Sequence, residues 1–450
     1  MDSSVAESLS DGAGSSIVLS SCAYCWVPAS WCSTRYRRAS WIRSRLLLFM
    51  SIENNQIIKT LKRRLYHDYL ELRVFFIRRK KTIRFGFLIQ ELSQWKTELL
   101  YLAMQKHPRF EPVLCISHND WYPGAEKVLM DYCRRQGYEY VMLDPTKTFR
   151  EQISLDMVTL QKPYLSEIPA ALQLDNNRGL PYVVIPYYLG TITAPWVVNQ
   201  RLNILCWRQF IDNENCKQAW SKIHALGGST YRVTGVPVMD ELLTPKENLP
   251  DVWPVRDGRK RIIFAPHHTI ADMHKEGICY STFLDYCEFM LEMRDKYQDR
   301  VFFIFKPHPS LRYRLLEYWG EEKTDQYFAQ WEKEGCSHVE TGKYVSLFKY
   351  SDAMIHDCAS FTIEYLYMER PVMYLLRDEH HEDNMIPYAK EAFDLHYKGR
   401  TQKDIESFIL DVINDVDPLK EKRIQFKEKN LLPPHGKTAC ENIIDSILGE

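Results

Sequence analysis

No run of apolar residues in this 450-residue chain approaches the roughly 18 that a membrane-crossing helix needs, so a span is not expected. Neither charge is in surplus. The 58 Lys and Arg face 59 Asp and Glu, a net charge of −1 that gives no overall pull toward nucleic acid. A G-x-G-x-x-G run is missing after the first strand, so a dinucleotide site of that kind is not indicated. The 12 cysteines lack a paired framework, which suits a reducing compartment. The C-x-x-C from Cys22 to Cys25 has no second pair or His pair beside it, which argues against zinc. Internal repeats are missing too. A secretory signal starts basic and then runs apolar, whereas this chain starts with Asp2 and Glu7. What remains is ordinary globular composition, 45% hydrophobic and 26% charged, with length for two cores.

Residues 1–49 stand apart. They hold 12 serines, against 15 in residues 50–450, with three Trp, three Cys and no clear period. They are expected to be upstream sequence read in error, with Met50 the natural start, or a disordered tail. From Ile57 a helical period begins: Ile57, Leu61, Leu65, Tyr69, Leu72 and Phe76 recur every three or four residues. Residues 59–84 carry ten Lys and Arg against two acids. Residues 50–81 therefore read as a basic amphipathic helix. Either it packs on the body with a solvated outer face, or it lies on an anionic membrane surface.

Strands and helices then alternate. Strands are expected at 82–89, 112–117, 138–143, 156–160, 182–186 and 231–234, with helices at 95–106 and 122–136. Residues 243–259 are polar and proline-containing, an interdomain linker. The alternation restarts with strands at 261–265, 301–305, 353–355 and 372–376, and helices at 283–296, 403–414 and 438–448. The expected fold is α/β: two doubly wound Rossmann-like domains, 82–242 and 260–450, facing a cleft.

Three strands of the second half run into unusual loops: Pro266-His267-His268-Thr269, Lys306-Pro307-His308-Pro309 and His356-Asp357-Cys358-Ala359-Ser360. Strand ends of one parallel sheet open on one side, so these loops are expected to converge. They supply imidazoles, an ammonium and a hydroxyl, and Ser360 is placed to cap a helix over 360–368 whose N–H groups face a phosphate. That inventory suits a nucleotide diphosphate. Glu364, one turn further on, is placed to accept hydrogen bonds from a ribose. For each His alone, a structural role is the commoner case. The acidic and His-containing run Asp378 to Asp383 reads as a solvated loop in preference to a metal site.

The stretch from Ser351 to Tyr374 resembles the CDP-glycerol glycerophosphotransferase family, bacterial enzymes that build teichoic-acid-like polymers on the GT-B fold. Asp357, Ser360 and Glu364 match that family's loop and acidic helix position, while Cys358 and Ala359 depart from it. Phe264-Ala265-Pro266 resembles the family's strand end, but His267-His268-Thr269 replaces its usual run. His308 matches a family histidine, and Val233 to Leu242 resembles its Gly-x-Pro-x-x-Asp junction. The first-domain motif Trp-His-Gly-Thr-Pro has Tyr187-Tyr188-Leu189-Gly190-Thr191 as its best counterpart. Gly190 and Thr191 are kept, and the histidine expected to act as base is not.

The resemblance implies attack by an acceptor hydroxyl on the β-phosphorus of CDP-glycerol, or a related CDP-polyol, with CMP leaving. It places His308 and His268 in catalysis. Lys306, His267, Thr269, Asp357, Ser360, Glu364, Gly190 and Thr191 would bind substrate. It implies no essential metal and no cofactor. The implied acceptor is a lipid-linked or cell-surface polymer, reached from the cytoplasmic side of an anionic membrane. The missing histidine favours a second reading, a GT-B glycosyltransferase using a nucleotide sugar for capsule or lipopolysaccharide. An epimerase of the same architecture and a non-catalytic binding protein are weaker alternatives.

Overall fold

In a computed structural model, residues 56–119, 124–270, 280–333, 336–338, 344–377 and 382–450 are described. The expected extension 1–49, Met50 and positions 378–381 of the acidic and His-containing run lie outside them. Residues 62–450 form one unit, which holds both sheets.

The first sheet has seven parallel strands: β1 (Ile83–Ile89), β2 (Phe110–Ile116), β3 (Tyr140–Met142), β4 (Met157–Leu160), β5 (Tyr182–Val184), β6 (Arg208–Ile211) and β7 (Tyr231–Val233). Their order is β3-β2-β1-β4-β5-β6-β7. The second has β8 (Lys260–Ala265), β9 (Val301–Phe305), β10 (Cys336–His338), β11 (Ala353–His356), β12 (Val372–Leu375) and β13 (Tyr397–Gly399). Its order is β10-β9-β8-β11-β12-β13, so both halves run outward from their first strand in each direction. The direction of winding reverses between β1 and β4, and again between β8 and β11. Ligand crevices form at such points, beyond the carboxyl ends of the strands.

Continuous apolar runs make central strands such as β9 and β12 because both faces are covered. All five residues of β9 are buried, and Phe305 stacks on Trp331 with ring centroids 5.0 Å apart. Each such side chain contributes about 1.5–3 kcal/mol when fully buried.

Three features differ from the expected division. Trp253, inside the expected linker, is buried and donates from Nε1 to the Leu347 carbonyl at 3.0 Å. The last helix, Ala439–Leu448, belongs by its contacts to the first domain. Asp240 accepts the Ala439 and Cys440 N–H groups at 2.7 and 2.8 Å, and Arg78 donates to the Ser446 and Ile447 carbonyls at 2.9 and 2.8 Å. An anion at the helix start and a cation at its end both favour the dipole. The third feature is the helix Gln56–Ile77, which has two apolar stripes. Leu70, Val74 and Ile77 are buried on the first domain, while Leu61, Leu65, Tyr69, Leu72 and Phe76 are 45–59% exposed. The eight described cysteines are free and buried.

Candidate active site

The loops after β8, β9 and β11 meet at the reversal point of the second sheet. β8 lies between β9 and β11, so its trailing loop touches both neighbours. The His308 N–H donates to the Pro266 carbonyl at 2.9 Å, joining two of the loops. Ring centroids of His267, His268 and His308 lie 4.1–5.1 Å apart. Lys306 is buried at the same strand end. Five predicted residues thus come together: Lys306, His308, His267, His268 and Thr269.

The backbone sets two of the tautomers. His308 Nδ1 accepts the Ser310 N–H at 3.1 Å and so caps the helix Pro309–Trp319. His267 Nδ1 faces the Thr269 N–H at 3.3 Å and its hydroxyl at 2.8 Å, and that hydroxyl also accepts the Tyr280 N–H. Each neutral ring then carries its proton on Nε2. One nitrogen of each of the three rings lies within 4.8 Å of the others, close enough for a metal ion. A metal needs a lone pair, however, and two of these rings offer N–H donors. The arrangement fits an anion better.

Electrostatics agree. Burial, with His268, His267 and Lys306 beside it, holds His308 well below the usual imidazole range. Burial pulls Lys306 down to about 8. An entering anion reverses both effects, since each group gains a counter-charge.

Other predicted residues lie elsewhere or are already engaged. Asp357 is fully buried and accepts the His267 N–H at 2.5 Å, the Thr282 N–H at 2.7 Å and the Thr282 hydroxyl at 3.2 Å. It ties loops together and offers no face to a ligand. Ser360 has helical backbone angles and makes no cap hydrogen bond. Its helix is one α-turn, Phe361–Glu364, followed by a 3-10 segment, Tyr365–Met368, so the expected N-terminal phosphate site is not built. The turn closes early because the Thr362 N–H already bonds the Ala359 carbonyl. The hydroxyl is left without a partner among the described residues. Glu364 is 2% exposed and accepts the Tyr344 hydroxyl, which argues against its expected ribose contact. Burial lifts its pKa to about 7, against Lys96 and Lys306, which lower it.

Gly190 and Thr191 form part of the seam between the domains. The Thr191 carbonyl accepts the Ile386 N–H at 2.9 Å, and Ile192 bridges Met385. Gly190 is required by packing: a Cβ there would stand 2.5 Å from Cys216 Sγ. Beyond the ends of β1 and β4, at the first sheet's reversal point, a pocket is lined by Gln90, Glu91, Gln161 and Lys162. Tyr344, Lys96 and this pocket carry no sequence signal of their own, because they lie in three separate loops.

The model of the family described as CDP-glycerol:poly(glycerophosphate) glycerophosphotransferase matches residues 207–449. No curated protein matches. Among solved structures, a variant of the wall teichoic acid polymerase TagF soaked with CDPG is 16% identical, with TM-score 0.54, covering 87% of this chain and 96% of its own. UDP-GlcNAc 2-epimerase from Neisseria meningitidis, bound to UDP-GlcNAc, is 18% identical, with TM-score 0.55, covering 82% of this chain and 100% of its own. At these identities the likeness shows a shared GT-B-like fold.

Proposed function

The chain belongs to the CDP-glycerol:poly(glycerophosphate) glycerophosphotransferase family, and we propose how its cleft performs that family's transfer of glycerol phosphate from CDP-glycerol to a teichoic-acid-type polymer. The reading rests on the convergence of His267, His268, His308 and Lys306 at the second sheet's reversal point. The Nε2–H groups and the ammonium take the diphosphate oxygens, and Ser360 adds its free hydroxyl. The acceptor enters from the first domain, where the pocket at Gln90, Glu91, Gln161 and Lys162 opens. Its hydroxyl oxygen bonds to the β-phosphorus, the bond to the bridging oxygen breaks, CMP leaves with the electron pair, and the hydroxyl proton is released. Incubation with CDP-glycerol, CDP-sugars and UDP-sugars tests this. CMP release with CDP-glycerol is expected; UDP release from a UDP-sugar instead would favour the glycosyltransferase.

Binding should depend on pH. Lys306, with a pKa near 8, takes up a proton when the diphosphate enters, whereas His267 and His308 stay neutral donors with Nδ1 engaged. Affinity for CDP-glycerol therefore rises as pH falls from 8.5 to 7, by up to about fourfold, the limit for one group whose pKa lifts from about 8 on binding. Calorimetry in buffers of different ionisation enthalpy reads the uptake directly. Equal heats in all buffers and a flat pH profile would refute it.

The acceptor is lipid-linked on this reading, and the protein works peripherally at the inner, cytoplasmic face of the membrane. The exposed stripe of Leu65, Leu72 and Phe76 supports this, with Lys62, Arg63 and Arg64 on the same helix. Arg73, Arg78, Lys80 and Arg84 are engaged within the protein. Each remaining basic residue adds up to about 1 kcal/mol at an anionic surface. The protein should float with phosphatidylglycerol vesicles at low salt and detach at high salt. Replacing Leu65, Leu72 and Phe76 together by serine should abolish flotation with little change in stability, because all three are exposed. Undiminished flotation of that triple variant would remove the proposal.

A further inference from the structure

Two lysines, one from each domain, meet at a single ring. Lys96 lies past the end of β1, just before the helix Glu98–Lys106. Its Nζ is 4.0 Å from the centroid of Tyr344. Lys306, at the end of β9, has its Nζ 5.1 Å from the same centroid and 5.2 Å from that of Phe361. Each lysine is 8% exposed. Among the described residues no carboxylate lies within 4.0 Å of either ammonium. By contrast Lys162, equally buried, pairs with Glu167 at 2.6 Å.

Burying an ammonium without a counter-charge is strongly unfavourable, and contact with a ring face offsets a small part of that. Glu364 and Glu241 attract Lys96 from further away. Glu364 is already engaged by the Tyr344 hydroxyl. The neutral imidazoles alongside add no counter-charge, and neither lysine has a carboxylate in direct contact among the described residues. A compact group with several anionic oxygens would correct this.

We propose that Lys96 and Lys306 form a two-domain phosphate clamp around Tyr344, and that Lys96 holds the β-phosphate, the group carried to the acceptor. The assignment to the β-phosphate rests on the reaction read above. Lys96 stands on the acceptor's domain, the side from which the hydroxyl attacks. The clamp brings the domains together over the phosphate, and in the transfer step Lys96 balances charge on the phosphoryl oxygens while the acceptor oxygen–phosphorus bond forms and the bond to CMP breaks.

The test is calorimetric titration of wild type, Lys96→Met and Lys96→Arg with inorganic pyrophosphate, CMP and CDP-glycerol, alongside thermal unfolding. Wild type is expected to bind pyrophosphate. Lys96→Met should lose at least tenfold in affinity for pyrophosphate and CDP-glycerol but under threefold for CMP, and Lys96→Arg should recover part of the loss. The Tm of Lys96→Met should be unchanged or higher, because an uncompensated buried charge has gone. Wild-type failure to bind pyrophosphate, unchanged affinities in Lys96→Met, or an equal loss for all three ligands with a lower Tm would each overturn the clamp. Lys96-dependent pyrophosphate binding without CDP-glycerol binding or CMP release would instead overturn the reaction and leave the clamp standing.

Discussion

Replacing His308 by alanine is expected to lower turnover by about 10²–10³-fold, the usual effect of removing one preorganised donor from a developing oxyanion. The ring is fixed on both sides. Pro307 and Pro309 restrict the backbone, the His308 N–H holds the Pro266 carbonyl, and Nδ1 holds the Ser310 N–H. Such rigidity directs Nε2 at the cleft without cost at the moment of reaction. Alanine also removes a helix cap, worth about 1 kcal/mol. His308→Asn separates the two effects, because asparagine is a good cap but too short to reach the phosphate. It should keep wild-type stability and show the same loss of CMP release. If His308→Asn turns over within threefold of wild type, His308 is a cap and nothing more.

The fold was readable because buried parallel strands are short apolar runs between punctuating residues, as in Ile262-Ile263-Phe264-Ala265 before Pro266. β10, β13 and β6 were not readable in that way. Cys336-Ser337-His338 and Tyr397-Lys398-Gly399 are three residues each with no apolar run, and Arg208-Gln209-Phe210-Ile211 opens on polar side chains. Neighbouring strands hold them in place. The N-terminal helix shows a different limit. Its sequence carries two overlapping apolar stripes, and periodicity cannot say that Leu70, Val74 and Ile77 are the packed ones. The site divides similarly. Pro-His loops at strand ends are local patterns, so the imidazole cluster was visible. Lys96 and Tyr344 are 248 positions apart and meet through folding alone. Ser360 has a cap's spacing to Glu364, yet the preceding turn at Ala359 draws it into helical geometry.

The larger stability effect should come from Asp357, which the sequence placed among the ligand contacts. Its carboxylate receives two backbone N–H groups and a hydroxyl, all from the loops that carry His267 and Thr282. Asp357→Ala leaves those donors buried without an acceptor, at about 1–3 kcal/mol for each N–H, or about 3–5 kcal/mol together. For a domain of this size the expected fall in Tm is about 10 °C. The fall should also depend on pH. Burial lifts the folded pKa to about 7, while the unfolded value is about 4. The folded chain therefore holds this proton more tightly, and the wild type gains stability relative to the variant as pH drops from 7 to 4. Histidine contributions are common to both proteins and cancel in the difference. Thermal unfolding of the pair at pH 5 and pH 8 should show the wider gap at pH 5. A variant that melts within 2 °C of wild type at both pH values, yet binds CDP-glycerol tenfold more weakly, would return Asp357 to the ligand's side of the loop.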